Sequence, residues 1–147
     1  MYQRILVATD DSRLSRRAVR SAIALAASVG AELVALHVVP RYPTHFFEGA
    51  ATFDADDVAR IERQWADHGR ALVDRVVDAA RAAGVAARAT VTCSDRVAES
   101  VLAAARKHRC DLIVMASHGR KGLQRVLLGS ETQNVLTQGT LPVLVLR

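Results

Sequence analysis

Hydrophobic positions along the chain change period several times, and each change marks an element. YQRILVAT, residues 2 to 9, is an apolar run that reads as a buried strand. SRLSRRAVRSAIALAASVG follows with helical spacing, predicting Leu14, Ala18, Ile23, Ala26 and Ala27 inward and Gly30 as the stop. AELVALHVV reads as a second strand. Residues 41–57, RYPTHFFEGAATFDADD, show no period, carry Pro43 and Gly49, and hold all three phenylalanines, so the segment reads as a long loop. From about Ala55 to Ala83 the helical period returns, with Val58, Ile61, Trp65, Leu72, Val76 and Ala80 near one face and Gly84 as terminator.

The second half repeats the alternation. VAARATVTC alternates as a strand, and both thiols, Cys93 and Cys110, are expected to be buried rather than paired. Ser94 or Asp95 can cap the helix RVAESVLAAARKH, whose Lys107, His108 and Arg109 suit the negative end of its dipole. DLIVMAS is a continuous apolar strand, ETQNVLTQ a short helix, and LPVLVLR a last strand with Pro142 at its start. Five strands joined by four helices predict an α/β fold, a parallel sheet with helices on both faces, because each parallel crossover must be long and right-handed. The common five-stranded order, 3-2-1-4-5, is Rossmann-like and puts ligands beyond the strands' carboxyl ends, where the chain order reverses between strands 1 and 4. Those strands end at Asp10 and at Ala116 to Gly119.

Composition narrows the class. The 147 residues, half of them apolar and 24% charged, suit one globular domain, 1–147. Ile5 to Thr9 is too short for a signal-peptide core, and no apolar stretch approaches the roughly 20 residues of a bilayer span, so a cytoplasmic protein without a membrane partner is expected. The net charge of +5 comes from twenty basic residues scattered among fifteen acidic ones, with few aromatics and no basic arm. A nucleic-acid partner is therefore not expected.

The candidate chemistry lies in MASHGRKGLQRVLLGSETQNVL, residues 115–136. Gly119 and Gly129 bracket a loop that could wrap an anion, and Arg120, Lys121 and Arg125 could supply charge at its rim. SETQ matches a capping box, with Ser130 capping the helix and Gln133 reaching back, which leaves amides near Glu131 and Thr132 at a positive helix end suited to phosphate. Solvated basic residues beside an ordinary helix start would read the same way. Asp10, across the expected crevice, could accept hydrogen bonds from ribose or base or help hold magnesium; Asp11 or Ser12 could cap the helix instead of it. His118 has no orienting carboxylate or nucleophile in view, His37 reads as a core histidine, and the histidines show no metal-ligand spacing. GxxxxGK[ST] is absent, so this is not a P-loop enzyme. No catalytic residue and no metal site of its own is assigned.

On these residues, together with the ILVATD opening, LHVV on the second strand and the PVLVLR ending, nearly the whole chain resembles the universal stress protein family. One branch of that family binds ATP through a glycine, two residues, a second glycine, nine residues, then glycine and serine or threonine. Here that register reads Ala116, Ser117-His118, Gly119, Arg120 to Leu128, Gly129-Ser130, with alanine in place of the first glycine. The resemblance implies that Asp10 contacts ribose or adenine, Val38 offers its backbone to adenine, and Gly119, Gly129, Ser130 and Glu131 surround the phosphates. Ala8, Thr9, Met115, Ala116, Arg120 and Thr132 complete the candidate nucleotide site. The implied ligand is ATP with magnesium, in a sensor or regulator of the stress response with at most slow hydrolysis. The implied assembly is a homodimer through the C-terminal edge strand, which would otherwise expose unpaired backbone groups. Two alternatives stand beside this reading: a dimeric module of the same family that acts through protein contacts without nucleotide, and a genuine ATP-hydrolysing enzyme using His118 or Asp10.

Overall fold

The computed structural model describes residues 1–43, 54–119 and 128–147. Its elements alternate as β1 (Arg4–Ala8), α1 (Arg13–Val29), β2 (Glu32–Val39), α2 (Ala55–Ala82), β3 (Ala87–Cys93), α3 (Val97–Lys107), β4 (Leu112–Ala116), α4 (Ser130–Gln138) and β5 (Val143–Leu146). The strands form one sheet in the order β3-β2-β1-β4-β5, every pairing parallel. This is the doubly wound α/β arrangement expected from the sequence.

Strand alternation divides the core in two. Ile5 and Val7 of β1, Leu33 and Ala35 of β2, and Leu112 and Val114 of β4 face one side, where they pack with Ala18, Val19, Ala22 and Ala26 of α1 and Val73, Val76 and Ala80 of α2. Leu6, Val34, Leu36, Ile113 and Met115 face the other side, against Ala98, Val101, Leu102 and Ala105 of α3 and Val135 of α4. β1, β2 and β4 carry apolar residues on both faces because helices cover both, so each reads as a continuous hydrophobic run. Ile5, Leu6, Leu33, Leu36 and Ile113 are completely buried, each contributing about 1.5–3 kcal/mol of apolar burial. No helix among the described residues is long and apolar enough to cross a membrane.

Details depart from the expected pattern. Ala27 is exposed, because the buried stripe of α1 runs through Ser15, Ala18, Val19, Ala22 and Ala26. Val58, Ile61 and Trp65 are only half-buried, since α2 meets the sheet fully from Gly69 onward. Cys93 is exposed at the end of edge strand β3, whereas Cys110 is buried beneath α3. Burial raises the Cys110 thiol to a pKa of about 11, which keeps it protonated and inert. The long loop expected after β2 falls mostly at residues 44–53, outside the described residues, as do Arg120, Lys121 and Arg125.

Candidate functional site

The carboxyl ends of β1, β2 and β4 open into a cleft of about 730 Å³. Its floor on the β1 side is a chain of hydroxyls and carbonyls. The Thr9 amide donates to the Leu36 carbonyl at 3.0 Å, which holds the ends of β1 and β2 together. The carbonyl of Thr9 receives the His37 Nδ1 proton at 2.8 Å, so His37 is half-buried and satisfied. Ser15 Oγ donates to the Ser12 carbonyl, leaving Thr9 Oγ1 to donate to Ser15 Oγ at 3.1 Å. Ser12 caps α1 by accepting from the Ser15 amide, and Asp10 Oδ1 accepts from the Ser12 amide at 3.0 Å. Of the three candidate caps, Ser12 takes the role, and Asp10 lines the cleft.

The β4 side is built around close backbone approach. The Gly129 amide donates to the Ser117 carbonyl at 2.6 Å, and a Cβ on Gly129 would stand 3.0 Å from that same oxygen. Thr132, buried in the first turn of α4, donates its hydroxyl to the Ala116 carbonyl at 2.9 Å and ties α4 to the end of β4. A Cβ on Gly119 would come within 2.7 Å of Asp10 Oδ2, so the two sides of the cleft meet there. At Gly129 the neighbour is fixed backbone, and glycine is used there for its missing side chain; at Gly119 it is the tip of the Asp10 side chain.

The expected capping box does not form. Gly129 is the N-cap and has no side chain to offer; Ser130 is already the first helical residue, and the Gln133 amide bonds to the Gly129 carbonyl. Backbone contact with Ser117 fixes the helix start, which removes the need for a serine cap. Among the described residues, no side-chain cap covers the first-turn amides of α4 beside the cleft. The Glu131 carboxylate turns away from its own helix and accepts from the Ala98 amide at 2.9 Å, within the first turn of α3. α3 itself begins at an Arg96 N-cap that makes no side-chain cap bond. Ser94, expected as a cap, accepts from the Arg96 amide instead.

All the described candidates line this one cleft: Ala8, Thr9, Asp10 and Val38 from β1 and β2, Met115, Ala116 and Gly119 from the β4 end, and Gly129, Ser130, Glu131 and Thr132 from α4. Arg120 lies outside the described residues. Leu36, Pro40 and Val97 add apolar wall, and Ser94 and Asp95 form the rim near α3. These were missed in the sequence because their signal is positional: with β2 beside β1, whatever follows Leu36 and whatever opens α3 must flank the switch point. Asp95 also accepts from the Arg41 amide at 3.0 Å, joining the segment after β2 to that rim. Gly69 was missed as well. A Cβ there would lie 2.6 Å from the His37 ring, so glycine lets α2 cross directly over the histidine that holds Thr9.

Comparison with known proteins bears on the family and the fold. The model of the Universal stress protein family matches residues 1–147. A universal stress protein of Thermus aquaticus is 33% identical over 147 residues, covering the whole of both chains. Among solved structures, a universal stress protein from Lactobacillus plantarum superposes with a TM-score of 0.84 at 23% identity, covering 99% of this chain and 98% of that one, which speaks for the fold. A universal stress protein solved in complex with cAMP matches at a TM-score of 0.70 and 26% identity, over 99% of this chain and 97% of the other.

Proposed function

The chain belongs to the universal stress protein family, and we propose that it is an ATP-binding member acting as a cytoplasmic sensor or regulator of the stress response. One observation carries this reading: among the described residues the α4 N-terminus has no side-chain cap, and it opens onto a cleft where a Cβ on Gly129 would stand 3.0 Å from the Ser117 carbonyl. Such a helix end supplies N–H donors and partial positive charge to phosphate. Leu36, Val38, Met115 and Val97 give the apolar wall that a base needs, and Asp10 is the carboxylate on the β1 side of the cleft that ribose or base would meet. The cAMP complex of a related protein supports the ligand class.

Magnesium would arrive with the phosphates, and Asp10, next to the Gly119 turn, is the residue that would meet it. In this reading the protein binds and positions nucleotide and hydrolysis is slow; a hydrolytic reading would need Asp10 or His118, whose Nδ1 lies 2.9 Å from Ser117 Oγ at the cleft wall. β5 is an edge strand with Leu144 exposed, and pairing with the same strand of a second copy would cover both. A homodimer through β5 belongs to the proposal.

A second reading rests on a specific observation. Among the described residues of the cleft the side chains of fixed charge are carboxylates, Asp10, Asp95 and Glu131, and Ala116 stands where the ATP-binding branch has glycine. A member without nucleotide, working through protein contacts, would tolerate both. Calorimetric titration of dialysed protein with ATP, with and without magnesium and against AMP, separates the two. Micromolar binding that favours ATP is the expected result, and folded protein that binds neither nucleotide would establish the second reading.

A further inference from the structure

The basic residues are scattered over most of the chain, but residues 13–20 alone hold four arginines. Arg13, Arg16, Arg17 and Arg20 fall at helical spacing on α1, about 10 Å from first to last along the axis, and all four are exposed. At about 100° per residue they occupy the side of α1 opposite its buried Ser15, Ala18, Val19, Ala22 and Ala26. Arg75 of α2 joins them, because Asp11 lies 3.7 Å from Arg16 and 3.9 Å from Arg75. Among the described residues the five arginines thus have one carboxylate at these distances, Asp11.

Little in the local fold offsets the charge of this row. α1 contains no acidic residue, and Arg13 and Arg16 sit in its first turn, where the helix dipole opposes positive charge. Among the described residues Asp11 is the single carboxylate within 4 Å of any of these arginines, and it is shared between two at long range. Asp11 is itself held at φ 63°, a left-handed conformation that costs a non-glycine residue stability.

We infer that this α1 face docks an acidic helical segment of a protein partner. Arginine's planar fork suits carboxylates, and a row at i, i+3, i+4 and i+7 is matched by glutamates at the same spacing on a facing helix. A nucleic acid fits less well: the patch lies on the outward side of a helix, carries no aromatic residue for stacking, and is short for a phosphate track. The inference is independent of the cleft's ligand.

The test uses nucleotide-free protein at low salt and a labelled helical peptide with four glutamates at that spacing, followed by fluorescence anisotropy. Saturable binding is expected, weakened about tenfold by the combined Arg13→Gln, Arg17→Gln and Arg20→Gln substitutions, at roughly a factor of two per exposed ion pair. The combined Arg60→Gln, Arg63→Gln and Arg81→Gln substitutions on α2, with the same loss of charge, should change it less than about twofold. Circular dichroism confirms that both variants are folded. Equal weakening by the two sets would mean a diffuse field and overturn the inference, as would no binding. Tighter binding of an oligonucleotide of equal charge, lost in the α1 variant, would overturn it in favour of nucleic acid.

Discussion

The two ends of the sheet treat polar groups in opposite ways. At the amino end they are consumed internally: the Asp111 carboxylate accepts from the Gln3 and Arg4 amides at 2.8 and 3.0 Å, and the Arg4 guanidinium reaches Glu32 at 2.9 Å and the His108 carbonyl at 2.7 Å. Arg88 closes the group on Glu32 from β3. At the carboxyl end the helix α4 starts without a side-chain cap, glycines replace side chains, and the strands open onto a cleft. One end holds β1, β2 and β4 in register; the other opens into a cleft lined by the candidate site residues. A parallel sheet separates these tasks because all its strand ends of one kind emerge together.

Substitution at either end should therefore separate stability from binding. The largest effect is expected from Gly129→Val, whose Cβ would press on the Ser117 carbonyl and shift the start of α4. ATP affinity measured by calorimetry should fall at least about a hundredfold, roughly 3 kcal/mol. The thermal midpoint should change little, since Val135 and Thr132 still anchor the helix. Unchanged affinity would remove the phosphates from this loop. Next in size is Asp111→Ala, which strips an acceptor from two backbone amides and should cost about 1–3 kcal/mol by denaturant unfolding, with ATP affinity unaltered. A loss of affinity to match would mean that the two ends are coupled and the contrast is false.

How much of this could be read beforehand follows the same division. Strand order and core were legible because continuous apolar runs such as LIVMA and helical stripes such as Leu72, Val76, Ala80 are periodic signals that burial alone enforces. The glycines were legible too, since nothing else at Gly119 or Gly129 explained their spacing. What escaped was the direction in which polar side chains turn. SETQ has the letters of a capping box, yet the contact between Gly129 and Ser117 starts α4 one residue earlier, which makes Ser130 helical. The resemblance puts Glu131 among the residues around the phosphates, but could not say that its carboxylate serves the first turn of α3, where it complements that helix's dipole. Both outcomes depend on a neighbour distant in sequence, as does the crossing of Gly69 over His37. A single chain's local pattern holds no record of those neighbours.

The smallest expected effect tests whether the amino end is as fully satisfied as its ion pairs imply. His108 follows α3 with its carbonyl taken by Arg4, but its Nε2 is buried and, among the described residues, unpartnered. Burial lowers its pKa below 6.5, and the charges of Lys107, Arg88 and Arg4 lower it further. The folded protein therefore holds a neutral imidazole that the unfolded chain protonates more readily. Stability from this group is fully present above pH 6.5 and declines as the pH falls through the lowered folded value, because below 6.5 the unfolded state binds more protons. His108→Gln removes the titration. Its thermal midpoint should then fall less than that of the unmodified protein between pH 7 and pH 5, while ATP binding at the far end follows one pH profile in both. Parallel melting curves across that range would show that the buried nitrogen is protonated without cost, and that the amino end has an opening of its own.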